Sequence, residues 1–213
     1  DTAQDQLLLQ NMANNGTVVL TSNGLVTVEV KDANLVANTT DVINVIVDAT
    51  NTTTTAGTFT VANVETVKIT AKGEFLDDGV AGGSTANDGI DDTAADTASL
   101  TLVATAAKTV TVDGSANLDL TTTTPTNLKT VEASDMTGAL TYTISSSVVN
   151  FELISGLGAD IITVATSNNA QVKTGAGADI ITVQAGAVSA NFWGGAGNDT
   201  FEVKAAISSA TQY

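Results

Sequence analysis

A repeat with a period of about 20 residues constrains the fold of this chain more than any other feature of its sequence. Each unit contains a short strand of alternating apolar residues, a turn of small residues and a second strand. Five units align with one another, at 108–120, 127–143, 150–164, 170–183 and 190–203. A unit this short cannot bury its own apolar face, so it must stack on its neighbours. The repeat predicts an all-β solenoid with coils ~4.8 Å apart. A propeller or a β-sandwich would also have short, regular strands, but sandwich turns need not repeat one chemistry at one phase.

Three of the turns share a further pattern, and we call them the Gly-Asp turns. They run from Ser155 to Asp160, from Thr174 to Asp179 and from Gly194 to Asp199, and an apolar strand follows each. The three aspartates are almost equally spaced along the chain. This spacing and composition match the calcium-binding G-G-x-G-x-D repeat of parallel β-helices. The candidate calcium ligands are Ser155, Gly156, Leu157, Gly158, Asp160, Thr174, Gly175, Ala176, Gly177, Asp179, Gly194, Gly195, Ala196, Gly197 and Asp199.

The chemistry of these turns suits a hard cation. Glycine permits positive φ, so a turn can aim several carbonyl oxygens inward, and the aspartate adds a charged oxygen. Three stacked turns enclose two gaps between coils, which predicts about two calcium ions whose binding is coupled to folding. The turns on the other side of the same coils, at 166–169 and 185–187, contain no aspartate. Calcium is therefore expected on one edge only.

The rest of the composition narrows the function. The chain has no cysteine and no histidine, so oxygen atoms are the available metal ligands. A net charge of −16 argues against binding to nucleic acid and against insertion into an anionic membrane. Nucleophilic and acid–base arrangements have few possible members here, so we predict that the chain is not an enzyme.

The N-terminal part predicts a different organisation. Residues 1–60 are expected to form an irregular β-rich segment with one short helix at 3–14, where Leu8, Leu9 and Met12 have helical spacing. Residues 61–213 are expected to form the solenoid, with an acidic insertion at 72–98. This insertion is interpreted as a solvated loop, and a further calcium-organised excursion is the alternative. The acids that would then bind calcium are Asp77, Asp78, Asp88, Asp91 and Asp92.

Three aromatic residues lie beside the last Gly-Asp turn. We expect Phe192, Trp193 and Phe201 to fill the core where the solenoid narrows or is capped. A platform for stacking sugars is the alternative. The chain begins without a methionine and ends in a polar stretch, and we interpret it as a fragment of a longer exported protein.

With its Gly-Asp turns and its units at 41–49, 57–70 and 130–142, the chain resembles the calcium-dependent surface-layer (S-layer) proteins of Gram-negative bacteria, which carry RTX-type repeats and leave the cell by type I secretion. The similarity covers about three quarters of the chain, from about residue 40. It implies a right-handed parallel β-solenoid that self-assembles into a lattice on the cell surface, bridged by calcium. Its partners would be other copies of itself and cell-surface polysaccharide or lipopolysaccharide. The alternatives are a repeat module of a secreted adhesin and the calcium-folding C-terminal region of a secreted hydrolase.

Overall fold

The strands of this protein form two long parallel sheets that face each other across an apolar core. The structure is a computed structural model that describes residues 6–35, 40–49, 53–73, 96–123, 127–145, 149–188 and 190–204. The nine strands of sheet A, in spatial order, are β1 (Gln6–Met12), β3 (Gly24–Val30), β5 (Thr53–Val61), β7 (Thr97–Ala104), β9 (Asn117–Thr123), β11 (Leu140–Ile144), β13 (Ile161–Asn168), β15 (Ile180–Val188) and β17 (Thr200–Val203).

Sheet B has eight strands, and they alternate with those of sheet A along the chain. They are β2 (Gly16–Leu20), β4 (Val42–Asp48), β6 (Thr66–Lys72), β8 (Thr109–Gly114), β10 (Thr130–Met136), β12 (Glu152–Ile154), β14 (Gln171–Lys173) and β16 (Asn191–Trp193). Because every strand pairs in parallel with the strand two places on, the chain winds through one coil per pair of strands. This confirms the predicted β-solenoid.

The core is built by the period-two pattern of the strands. In β4, for example, Ile43, Val45 and Val47 face inward and are fully buried. Equivalent positions stack from coil to coil, as in Val45 beside Ile69 and Ile69 beside Val112. β-branched side chains suit this arrangement because they pack well on a pleated surface.

The predicted helix at 3–14 is wrong for the residues that the structure describes. Residues 6–12 form β1, whose Leu7 and Leu9 pair with Val26 and Val28 of β3. Asn11 has a φ of 55°, and the register shifts between Leu9 and Met12. This bulge puts one extra residue in the strand, so that Leu9 and Met12 both pack against the core. The spacing that suggested a helix is the spacing of a bulged strand. Residues 3–5 lie outside the described residues.

The N-terminal part continues the same sheets. Strands β1 to β5 extend both sheets, and β5 itself crosses the predicted boundary between residues 60 and 61. The turns predicted at 166–169 and 185–187 are displaced, since β13 extends to Asn168 and β15 to Val188. Strands β6 and β7 likewise take in Lys72, Thr97 and Ala98 from the ends of the predicted insertion. Among the residues that the structure describes, there is no helix long and apolar enough to cross a membrane.

Candidate metal centre

The three Gly-Asp turns lie on one edge of the solenoid, in its last three coils. They connect β12 to β13, β14 to β15 and β16 to β17, which are all passages from sheet B to sheet A. The strands that follow them are in register, with Ile161 beside Ile180 and Ile180 beside Thr200. The stacking of equivalent turns that the sequence predicted is therefore present. We call this side of the solenoid the Gly-Asp edge.

The aspartates of these turns occupy a column that is apolar in the three preceding coils. Those coils place Ala98, Leu118 and Leu140 in it, each one strand apart in the sheet, and Thr54 precedes Ala98. Asp160 is the next member of the column, because the residue after Asp160 pairs with the residue after Leu140. Asp179 and Asp199 continue the column. The side chains of Asp160 and Asp179 have 0% exposure, and Asp199 is partly buried. Carboxylates thus stand in the interior where the three preceding coils place alanine or leucine.

One oxygen of each buried carboxylate is satisfied by the coil before it. The backbone N–H of Leu140 donates to Oδ1 of Asp160 at 2.6 Å. The N–H of Asp160 donates to Oδ1 of Asp179 at 2.8 Å, and the N–H of Asp179 donates to Oδ1 of Asp199 at 3.2 Å. This ladder fixes the direction of all three side chains. It also leaves Oδ2 of Asp160 and Oδ2 of Asp179 buried without a hydrogen-bond partner.

An unpaired carboxylate oxygen in such a place is costly. Leaving a buried acceptor unsatisfied costs about 1–3 kcal/mol, and more if the group is charged. Burial raises the pKa of Asp160 to about 6, against the opposing effects of its hydrogen bond from Leu140 and of the nearby Ser155 hydroxyl and Gly156 amide. The negative charge of Asp179 raises it further. Two aspartates one coil apart therefore need either protons or a cation between them.

Two hydroxyl groups complete the interior of this edge. Ser155 Oγ donates to the carbonyl of Thr174 at 3.2 Å, and Thr174 Oγ1 donates to the carbonyl of Gly194 at 2.9 Å. Both side chains are buried. These links between one turn and the next were not predicted from the sequence.

The glycines of the second and third turns allow each of these turns to stack closely on the turn before it. Gly177 and Gly197 have φ values of 133° and 134°, and a Cβ on either would collide with the carbonyl oxygen of the equivalent glycine one coil back. These two turns also form a bridge between Ala176 and Ala196. The first turn differs, since neither of its glycines, Gly156 and Gly158, has positive φ. The two gaps between turns are therefore unequal in backbone shape.

Several of the predicted backbone ligands already make contacts between turns. The carbonyls of Gly156 and Gly175 accept hydrogen bonds from the amides of Ala176 and Ala196, each at 2.9 Å. The carbonyl of Ala196 accepts from the amide of Gly177 at 2.9 Å. Leu157 points outward and is exposed, while its amide donates to Met136. At Gly194 and Gly195 any side chain would collide, with Oδ2 of Asp199 and with the carbonyl of Gly175 respectively.

The side chains of the Gly-Asp turns supply part of the set of oxygen ligands that a calcium ion requires. Each gap offers two carboxylates, from Asp160 and Asp179 or from Asp179 and Asp199, and the unpaired oxygens suit a hard cation. Within the described ranges no group of three or more acidic side chains is placed to hold a metal. Calcium prefers six to eight oxygens, so backbone carbonyls and water would have to supply most of them.

The remaining predicted site residues and the aromatic residues have different outcomes. Asp77, Asp78, Asp88, Asp91 and Asp92 lie outside the described residues. The strand ends on either side of them, Lys72 of β6 and Thr97 of β7, lie at the Gly-Asp edge. Phe192 packs against the core as predicted. The prediction is wrong for Trp193, which is 47% exposed on the outer face of β16 with Lys173 Nζ 5.8 Å from its ring. Phe201 is 48% exposed, but it pairs with the buried Ile181 and so continues the inward column on the last strand of sheet A.

Comparison with known proteins adds no assignment, because no protein-family model matches this chain and neither does any curated protein.

Proposed function

We propose that this chain is a calcium-binding structural module of a secreted bacterial surface layer, in which it assembles with other copies of itself. One observation carries the calcium part of the proposal. Two adjacent coils bury carboxylates at equivalent positions, and each carboxylate keeps one oxygen without a partner. Calcium between the coils would neutralise both charges and use the unpaired oxygens.

The residues of the Gly-Asp edge divide the work of such a site. Asp160, Asp179 and Asp199 would hold the ions through their second oxygens, while their first oxygens stay in the ladder of backbone hydrogen bonds. Ser155 and Thr174 tie consecutive turns together from the inside. When bound, calcium would supply positive charge that lets charged aspartates remain in the interior. Folding of the last three coils would then depend on it.

The surface-layer part of the proposal rests on the resemblance of the repeats and on the shape of the molecule. A solenoid is an extended scaffold whose outer faces are free for contacts with neighbours. The net charge of −16 opposes contact between copies, so assembly would require calcium to screen the repulsion. Cell-surface polysaccharide or lipopolysaccharide would be the attachment partner.

Calcium removal and return test the proposal. In excess chelator, we expect the far-ultraviolet β signal to fall and the amides of β13, β15 and β17 to lose protection from hydrogen exchange. On return of calcium, the signal should recover, and light scattering and electron microscopy should detect ordered sheets. A β signal that is the same with and without calcium would rule out the calcium-dependent fold. Recovery of the fold with a strictly monomeric product would favour an adhesin module or a hydrolase tail over a lattice subunit.

A further inference from the structure

A second pair of carboxylates lies on the other edge of the solenoid, at the N-terminal end. Asp41 directly precedes β4 and Glu65 directly precedes β6. Because Val42 and Thr66 are paired, Asp41 and Glu65 occupy equivalent positions in neighbouring coils. They belong to passages from sheet A to sheet B, whereas the Gly-Asp turns are passages from sheet B to sheet A. The two places therefore share no residues.

Backbone hydrogen bonds hold these two residues together. The N–H of Asp41 donates to Oε2 of Glu65 at 3.1 Å, so the Glu65 side chain reaches back to the neighbouring coil. The N–H of Thr66 donates to the carbonyl of Asp41 at 3.0 Å, which continues the ladder of the sheet. These bonds fix the Glu65 carboxylate against the backbone of Asp41.

The Asp41 carboxyl group has an unmet requirement. Its residue is only 2% exposed, and its Oδ2 is buried without a hydrogen-bond partner. Burial raises the pKa of Asp41, and the negative charges of Glu65 and Asp32 raise it further. Among the described residues, no lysine forms an ion pair with Asp41 or Glu65. Lys108 follows Glu65 in the same column, but the contact made there is from its backbone amide to the Glu65 carbonyl.

A buried carboxylate beside a second carboxylate can be stabilised by a proton or by a cation. The geometry favours a cation, because the hydrogen bond from the Asp41 amide holds the Glu65 carboxylate beside the residue whose Oδ2 is unpaired. Oxygen-only ligands of this kind select hard ions such as calcium. We propose that Asp41 and Glu65 form a further calcium site, separate from the Gly-Asp turns, that joins two coils near the N-terminal end of the solenoid.

The experiment compares matched variants by counting bound calcium with equilibrium dialysis. Asp41→Asn keeps the size of the side chain and removes its charge. Asp119→Asn is the control, because Asp119 lies exposed on the outer face of β9. We expect Asp41→Asn to lose one bound calcium per chain, or to weaken one site by at least about tenfold, while Asp119→Asn binds like the original chain. Glu65→Gln should weaken the same site.

The same measurement is then made in a chain that carries Asp160→Asn, Asp179→Asn and Asp199→Asn. It separates this proposal from the proposed calcium site at the Gly-Asp turns. If the effect of Asp41→Asn persists in that background, the Asp41 site is independent. If Asp41→Asn and Asp119→Asn bind the same number of ions with the same affinities, the proposal is overturned and the Asp41 carboxyl group is held by a proton. Circular dichroism of each variant establishes that the coils are folded. Should Asp41→Asn fail to fold, Glu65→Gln decides the question, because its amide oxygen can still accept from the Asp41 N–H.

Discussion

The backbone N–H of Asp160 donates a hydrogen bond to Oδ1 of Asp179, at 2.8 Å, in the interior of the solenoid. This contact places two carboxylates one coil apart in a column that the three preceding coils fill with leucine and alanine. It also orients each side chain so that the second oxygen is left over. The contact therefore accounts both for the stacking of the turns and for the unpaired oxygens that the proposed calcium would use.

The middle aspartate should matter for two ions. Asp179 is the carboxylate common to both gaps, while Asp160 and Asp199 each belong to one. We expect Asp179→Asn to weaken both calcium sites of the Gly-Asp edge, and Asp160→Asn or Asp199→Asn to weaken one each. Isothermal titration calorimetry with calcium measures the number and affinity of the sites. Equal effects of the three substitutions would contradict this assignment.

Without calcium, substitution of Asp160 should stabilise the folded chain instead of weakening it. Asparagine keeps an oxygen for the ladder, removes a buried charge and offers an N–H in place of the unpaired oxygen. In excess chelator, Asp160→Asn is expected to raise the free energy of unfolding by about 1–3 kcal/mol. Urea unfolding with and without chelator tests the reversal. A loss of stability in both conditions would mean that the charge itself is needed for another contact.

The metal-free chain should lose stability as the pH rises from about 4 to about 6. The pKa of Asp160 is raised from its ordinary value of 3.8 to about 6, so the folded chain binds more protons than the unfolded chain in this window. This loss of stability amounts to at most about 3 kcal/mol, and screening by solvent at the turn edge reduces it. Denaturant unfolding in chelator at pH 4, 5, 6 and 7 measures it. Asp160→Asn should flatten the curve, and a wild-type curve already flat would contradict the buried position of this carboxylate.

Close stacking of the second turn on the first can be tested at Gly177. Its φ of 133° disfavours any side chain, and a Cβ there would collide with the carbonyl of Gly158. Gly177→Ala is expected to lower the free energy of unfolding by at least about 2 kcal/mol. Gly24→Ala is the matched control, since a Cβ at Gly24 meets no atom within 4 Å and its φ is not positive. If both substitutions cost the same, the turns are not stacked as described.

The first strand gives a direct test of strand against helix. Leu9 packs against the core beside Val28, whereas its neighbour Leu8 is 49% exposed. Leu9→Ser should lower the free energy of unfolding by about 1–2 kcal/mol and release the β1 amides to hydrogen exchange, while Leu8→Ser should change it by less than about 0.5 kcal/mol. In a helix, these adjacent residues would share much of one face. Similar effects of the two substitutions would therefore favour the helix.

The spacing of residues determined the main architecture. Alternating Val, Ile and Leu in a short repeated unit is enough to predict stacked coils, because such units have no other way to bury their apolar faces. The near-equal spacing of Asp160, Asp179 and Asp199 is enough to place the Gly-Asp turns on one edge. The positive φ of Gly177 and Gly197 could be expected from the turn pattern, since only glycine adopts positive φ there without strain.

The tertiary structure decided which atoms meet between coils. A bulge at Asn11 adds one residue to β1, and that extra residue gives the apolar residues of the strand a helical spacing in the sequence. The burial of Asp160 and Asp41, the hydroxyl links of Ser155 and Thr174 and the outward position of Trp193 all depend on residues about one coil away. The physical reason is that a sequence pattern reports the local period of the backbone. The environment of a side chain here is set by neighbours a full coil away along the chain, brought close only by its winding.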